Sequence, residues 1–236
     1  MKSIFKYVLV LVPLISFAQE DIKSYSAWNS LIVDYTISPK FYAENELHFR
    51  RTNFFSDWQQ FIARPSIHYK VTKGVKIGGG YSYIKNYRET IDFQENNVWE
   101  EVVLSSVYGK SSVKHRFRME HRFIETVLQD NTGGFSIGDT EFSNRFRYRL
   151  SWTIPLVTVT EDKKLKLAVF DEVWLLTEKG IVPRSLNQNW FYVGLSYPLI
   201  KGGSLGIGYM NDHGPIGNSN HRSNHILQTT FKYRIK

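Results

Sequence analysis

The sequence predicts an all-β chain, an antiparallel up-and-down transmembrane β-barrel of about ten strands, with twelve as the other count it admits. Three observations carry this reading. Beyond residue 20, apolar and polar side chains alternate with period two almost throughout, and helical spacing is scarce. The alternating runs are long, whereas strands of soluble proteins span ~5–6 residues and a tilted membrane strand needs ~9–11. The links between runs are short at one end and long at the other, as in outer-membrane barrels.

The chain begins "MKSIFKYVLVLVPLISFAQE". Lys2 and Lys6 precede an apolar stretch, Tyr7 to Ile15, broken by one proline, and "SFA" leads to Gln19. A basic start, a short apolar middle and a small residue before the cut describe a secretory signal peptide, residues 1–18, cleaved after Ala18. A membrane helix would need ~20 apolar residues, and Glu20 and Asp21 end this run. Residues 19–236 then form one domain. The formal net charge of +8 stays positive after cleavage, because the leader carries two lysines and no acid. The chain has no cysteine, which excludes disulfides, thiolate metal sites and cysteine nucleophiles. Aromatic residues make up 15% of it, a content that suits strands and membrane interfaces.

The candidate strands cover 25–37, 40–52, 57–71, 74–86, 97–108, 111–125, 140–155, 163–176, 187–200, 203–213 and 223–235. "SPK", "TKG", "GKS" and "KGG" are tight turns. "TNFFSD", "NYRETIDFQENN", "TVLQDNTGGFSIGD", "TEKGIVPRSLNQ" and "NDHGPIGNSNHRS" are the long links, and "LVTVTEDK" at 156–163 is longer than its place among the tight turns predicts. A closed bacterial barrel takes an even number of strands. Segments two to eleven therefore make the ten-stranded wall, with 25–37 inside or across the lumen; one further strand would make twelve. With periplasmic tight turns the first segment must run downward, although an exported N-terminus should start below the membrane.

The alternation separates two faces. "KHRFRMEHRFIE" sets His115, Phe117, Met119, His121 and Phe123 against Lys114, Arg116, Arg118, Glu120 and Arg122. "NRFRYRLSWTIP" sets Phe146, Tyr148, Leu150, Trp152 and Ile154 against Arg145, Arg147, Arg149, Ser151 and Thr153. A guanidinium in hydrocarbon costs ~2–4 kcal/mol at the bilayer midplane, so the arginines line the lumen, and His115 and His121 belong near the two interfaces. The same rule turns Glu44, Glu46, His48, Arg50, Arg64, His68, Lys232 and Arg234 inward. Glu172 joins this set, but it adjoins Asp171, as Glu100 adjoins Glu101; one of each pair is expected near a rim. Buried charge needs partners, so the arginines and glutamates are expected to crosslink across a narrow lumen. Their arginine excess keeps open a path or pocket for an anionic solute.

The segments "AWNSL", "ENELHFRR", "ARPSIHYKVTKGVKIGGGYSYI", "HRFRMEHRF", "NRFRYRLSW", "DEVWL" and "FYVGLSYPL" resemble, in order, the outer-membrane family called domain of unknown function 2490. The resemblance implies a small Gram-negative outer-membrane barrel and transfers no activity or catalytic residue. The chain departs from many barrels in ending "FKYRIK" rather than on phenylalanine.

An outer-membrane hydrolase or acyltransferase is the alternative, and a soluble periplasmic β-sandwich binding protein a further one. Asp212, His213, His221 and His225 cluster near the last long link, with Ser219 and Ser223, but read first as a hydrated loop. Neither GxSxG nor HExxH occurs. "GGGY" at 78–81 lacks the dinucleotide pattern and reads as close packing or strand bending in a wall. No catalytic residue, metal site or cofactor is assigned. The expected partners are outer-membrane lipid, lipopolysaccharide and the barrel-assembly machinery, and not nucleic acid, because the basic residues already alternate with aromatics on exported strands.

Overall fold

Period-two alternation with frequent β-branched and aromatic residues drives the chain into strands, and the described residues of the computed structural model form strands joined by turns, with no helix among them. It describes residues 21–160, 163–178, 183–216 and 220–235. The expected leader at 1–18, and Ser219 of the histidine cluster, lie outside the described residues. In chain order the strands are β1 (Asp21–Thr36), β2 (Phe41–Thr52), β3 (Asp57–Lys70), β4 (Val75–Asn86), β5 (Phe93–Tyr108) and β6 (Ser111–Gln129). They continue with β7 (Phe135–Thr160), β8 (Lys163–Thr177), β9 (Pro183–Ile200), β10 (Gly203–Ile216) and β11 (Asn220–Ile235).

Each strand pairs antiparallel with the next, and the sheet closes on itself. Among the described residues the closed wall has eleven strands. The first segment is a wall strand, not a lumen segment: β1 pairs antiparallel with β2 from Ala27↔Arg51 to Thr36↔Tyr42. On its other edge it pairs parallel with β11, from Asp21↔His221 to Tyr35↔Ile235. The physical reason is simple. When every hairpin reverses direction, an odd count leaves the first and last strands pointing the same way, and only a parallel ladder can join them. β1 thus runs from the long-link rim to the tight-turn rim, and the two ends of the barrel lie on opposite rims.

Several expected long links are strand instead. β6 and β7 extend as a projecting hairpin, with Val127↔Ile137 and Gln129↔Phe135 paired beyond a bulge. Its tip is held by Asp130, whose Oδ1 accepts the Thr132 and Gly134 amides at 2.7 and 2.8 Å, while Gly133 supplies φ +87°. The Thr132 hydroxyl and these amides hold the Asp130 carboxyl below its ordinary range. The end of β7 absorbs most of "LVTVTEDK" through register shifts at Pro155/Val157 and Thr158/Thr160.

The glycines at 78–80 show close packing. A Cβ on Gly78 would lie 2.2 Å from His68 Nδ1, and one on Gly80 2.7 Å from Trp99 Cζ2 and 2.5 Å from the Pro65 carbonyl oxygen. Their missing side chains admit an imidazole and an indole into the lumen. Gly80→Ala is expected to destabilise the barrel by about 1–3 kcal/mol through overpacking. Gly206→Ala, where the nearest neighbour would be 3.7 Å away, should stay within about 0.5 kcal/mol; urea unfolding followed by tryptophan fluorescence compares the two.

Candidate functional site in the barrel lumen

The alternation places the charged face inside. On β6 and β7, Arg118, Glu120, Arg145 and Arg147 are buried, while Phe117, Phe142, Leu150 and Trp152 are exposed on the outer face. Four charged tiers line the lumen. Near the tight turns, Lys232 Nζ lies 3.0 Å from Asp34 and 2.9 Å from Glu44, and Arg234 lies 3.2 Å from Asp34. Above them Glu46 accepts from Arg64 at 3.1 Å and contacts His48 Nε2 at 2.8 Å. Glu101 takes Arg118 at 2.8 Å and Lys76 at 3.4 Å. His68 is buried between Ser66 Oγ, at 2.9 Å, and the Tyr42 ring stacked on it.

The central tier joins β6, β7 and β8. Glu172, which is fully buried, accepts from Arg147 Nε at 2.9 Å, Arg149 Nε at 2.9 Å and Arg116 Nη2 at 2.5 Å. Glu120 takes Arg145 and Arg147, each at 2.6 Å. Near the long-link rim, Arg122 pairs with Glu95 at 2.7 Å and Arg222 with Asp212 at 3.2 Å. Low dielectric strengthens such pairs but makes an unmatched ion costly. Not every cation is matched: Arg50 donates to Gln60 Oε1 at 2.6 Å and, like Arg88 and Lys114, has no carboxylate within 4.0 Å among the described residues.

Tryptophans share this interior, a feature that the sequence reading missed. Trp28, Trp174, Trp190, Tyr192, Met210 and Ile226 form one buried cluster. Guanidiniums lie over two of these rings and over the buried Trp99: Arg50 is 3.9 Å from the Trp28 centroid, Arg147 3.6 Å from Trp174, and Arg118 3.8 Å from Trp99. Stacking lets a guanidinium keep its in-plane hydrogen bonds while covering apolar surface. The signal was present in the alternation, because Trp99 shares its face with Glu95, Asn97 and Glu101, and Trp174 shares its face with Glu172. Trp28, Arg50, Arg64, Trp174 and Trp190 border both an upper chamber of about 280 Å³ and a lower one of about 320 Å³. They form a septum between the two.

The adjacent acids divide between faces, not between wall and rim. Glu172 and Glu101 point inward, while Asp171 and Glu100 point outward from mid-strand. Each outer acid has a polar neighbour: Asn189 Nδ2 donates to Asp171 at 3.0 Å, and His121 Nε2 lies 3.4 Å from Glu100. His121 also meets Asn144 Oδ1 at 2.8 Å, and His115 meets the Tyr148 hydroxyl at 2.8 Å. His115 sits near the tight-turn end of β6 and His121 in mid-strand.

The candidate outer-loop cluster is split by the same alternation. His213 and His221 stack in parallel at 5.3 Å, and His225 bonds to the Tyr209 hydroxyl at 2.7 Å on the outer wall. Asp212 points the other way, into the lumen. Ser223 Oγ accepts from Asn211 at 2.8 Å rather than from a histidine. These residues therefore do not converge as nucleophile, base and orienting acid.

A family model described as "Protein of unknown function (DUF2490)" matches residues 25–223. No curated protein and no solved structure matches the chain.

Proposed function

The chain belongs to the DUF2490 family, and from the barrel's two faces we propose that it is a Gram-negative outer-membrane barrel with a closed, structural lumen. One observation carries the location. The outer wall exposes Ile67 at 57%, Val98 at 52%, Phe142 at 58%, Trp152 at 50%, Leu195 at 45% and Ile207 at 50%, whereas the guanidinium–carboxylate tiers lie inside. Water would favour the reverse arrangement, while lipid outside and a polar interior favour this one. The outer carboxylates of Glu100 and Asp171 keep polar partners on the wall, which lowers their cost against lipid. In this reading the wall contacts outer-membrane lipid and lipopolysaccharide, and the chain is inserted by the barrel-assembly machinery.

The Arg50–Trp28–Trp174–Trp190 septum supports a barrel that does not conduct. A second reading, a narrow anion-preferring path, is favoured by Arg50, which has no carboxylate within 4.0 Å among the described residues. Fractionation tests the location: recovery of the exported protein in the soluble periplasm would sink it. Planar-bilayer recording tests the closed lumen, with silence expected and steady anion-selective steps counting against it.

The parallel seam supplies a further test. An epitope placed ahead of Asp21 and another placed after Ile235 should be exposed on opposite sides of the membrane, so intact cells should bind an antibody to one and not the other. Labelling of both or of neither in intact cells contradicts a spanning eleven-stranded barrel.

A further inference from the structure

The upper chamber faces the long-link rim. Six guanidiniums border it, those of Arg50, Arg64, Arg88, Arg122, Arg145 and Arg222, against the carboxylates of Glu95 and Asp212. Four of the six are matched: Arg64 by Glu46, Arg122 by Glu95, Arg145 by Glu120 and Arg222 by Asp212. Arg50 at the floor and Arg88 at the mouth have no carboxylate within 4.0 Å among the described residues. We propose that this chamber binds a small doubly charged oxyanion, a phosphate-type or dicarboxylate ligand, between Arg50 and Arg88.

The hydrogen-bond inventory points the same way. Arg50 Nε, Asn86 Nδ2 and Trp174 Nε1 are buried and have no partner, and Asn86 and Trp174 are each only 4% exposed. Buried donors are normally paired, and a ligand whose oxygens only accept suits all three. Asp212 Oδ1 is the one orphaned acceptor of a lining carboxylate, and Arg222 already neutralises that group. The two unmatched cations set the ligand's charge at two. The volume of about 280 Å³ corresponds to roughly nine waters, enough for a hydrated phosphate or a short dicarboxylate and too little for an oligosaccharide. The site requires the barrel but not a particular membrane, so it stands or falls apart from the cellular location.

The test is calorimetric titration of the purified barrel in detergent micelles with inorganic phosphate, sulfate and succinate. Saturable binding with one ligand per chain is expected for at least one of them. Phosphate and sulfate without succinate identifies a tetrahedral oxyanion, and succinate alone a dicarboxylate. Arg50→Gln and Arg88→Gln should each weaken binding about tenfold or more, the worth of a hydrogen bond to a charged group. Arg234→Gln, on the opposite rim, should leave it unchanged. Absence of saturable binding for all three anions, or wild-type affinity in both Arg50→Gln and Arg88→Gln, overturns the proposal. If Arg50→Gln loses the heat-modifiable gel mobility of a folded barrel, Arg88→Gln at the exposed mouth decides. Bilayer conductance is read separately: binding in a silent barrel supports the site and the closed lumen together, whereas binding in a conducting one upholds the site alone.

Discussion

Replacing Glu172 with alanine is expected to destabilise the barrel by about 3–5 kcal/mol, the usual cost of stripping one partner from a buried ion pair. Glu172 is fully buried and is the shared acceptor of Arg116, Arg147 and Arg149. Among the described residues, removing it leaves Arg149 and Arg116 without a paired carboxylate and Arg147 with Glu120 alone. The loss exceeds that of an exposed pair, typically ~0.2–1 kcal/mol, because Arg147 is 2% exposed and Arg116 and Arg149 only 17% and 22%, so water replaces the lost carboxylate poorly. Urea unfolding in micelles should show the lowered midpoint, and the folded band on unheated gels should weaken. Arg234→Ala is the comparison, since its side chain is 60% exposed beside Asp34 and the change should cost little. Equal midpoints for the two variants would show that the central tier is not what holds the lumen together.

Trp174→Ala is the second large effect. The indole is 4% exposed, with Arg147 at 3.6 Å and Arg145 at 4.3 Å from its ring and Trp190 at 4.3 Å centroid to centroid. Truncating a buried tryptophan costs ~3–5 kcal/mol through lost transfer energy and the cavity left behind. Here the cavity has a particular place: it joins the upper and lower chambers, because Trp174 borders both. The variant is therefore expected to conduct in planar bilayers where the parent is silent, with a preference for anions set by Arg50 and Arg145. A folded variant that stays silent would count against the Trp174 septum as the barrier to conduction. Glu172 and Trp174 both touch Arg147, so the double variant should depart from additivity by about 0.5–3 kcal/mol.

Much of the wall was legible in the chain. Arg116, Arg118, Glu120 and Arg122 lie on one side of β6 and Phe117, Met119 and Phe123 on the other, because a strand alternates its side chains whatever it pairs with. The lumen-facing assignments of Glu44, Glu46, Arg64 and Arg147 follow from the same local rule. It reached its limit where polar residues occupied both faces: for Glu100 beside Glu101 and Asp171 beside Glu172, the sequence pointed to a rim and the fold divided each pair between lumen and outer wall. The inner tryptophans were overlooked for a related reason. An indole reads as lipid-facing until its strand's charged neighbours are seen on the same face.

Period two by itself determined that this chain forms long strands with an apolar and an arginine-rich face. Only the tertiary structure decided how many strands the described wall contains, which carboxylate meets which guanidinium, and which residues separate the two chambers. Asp34 and Arg234 are 200 positions apart in the chain and 3.2 Å apart in the barrel. Alternation is a property of each strand's own backbone, whereas that contact exists only because β1 and β11 run the same way and must close in parallel.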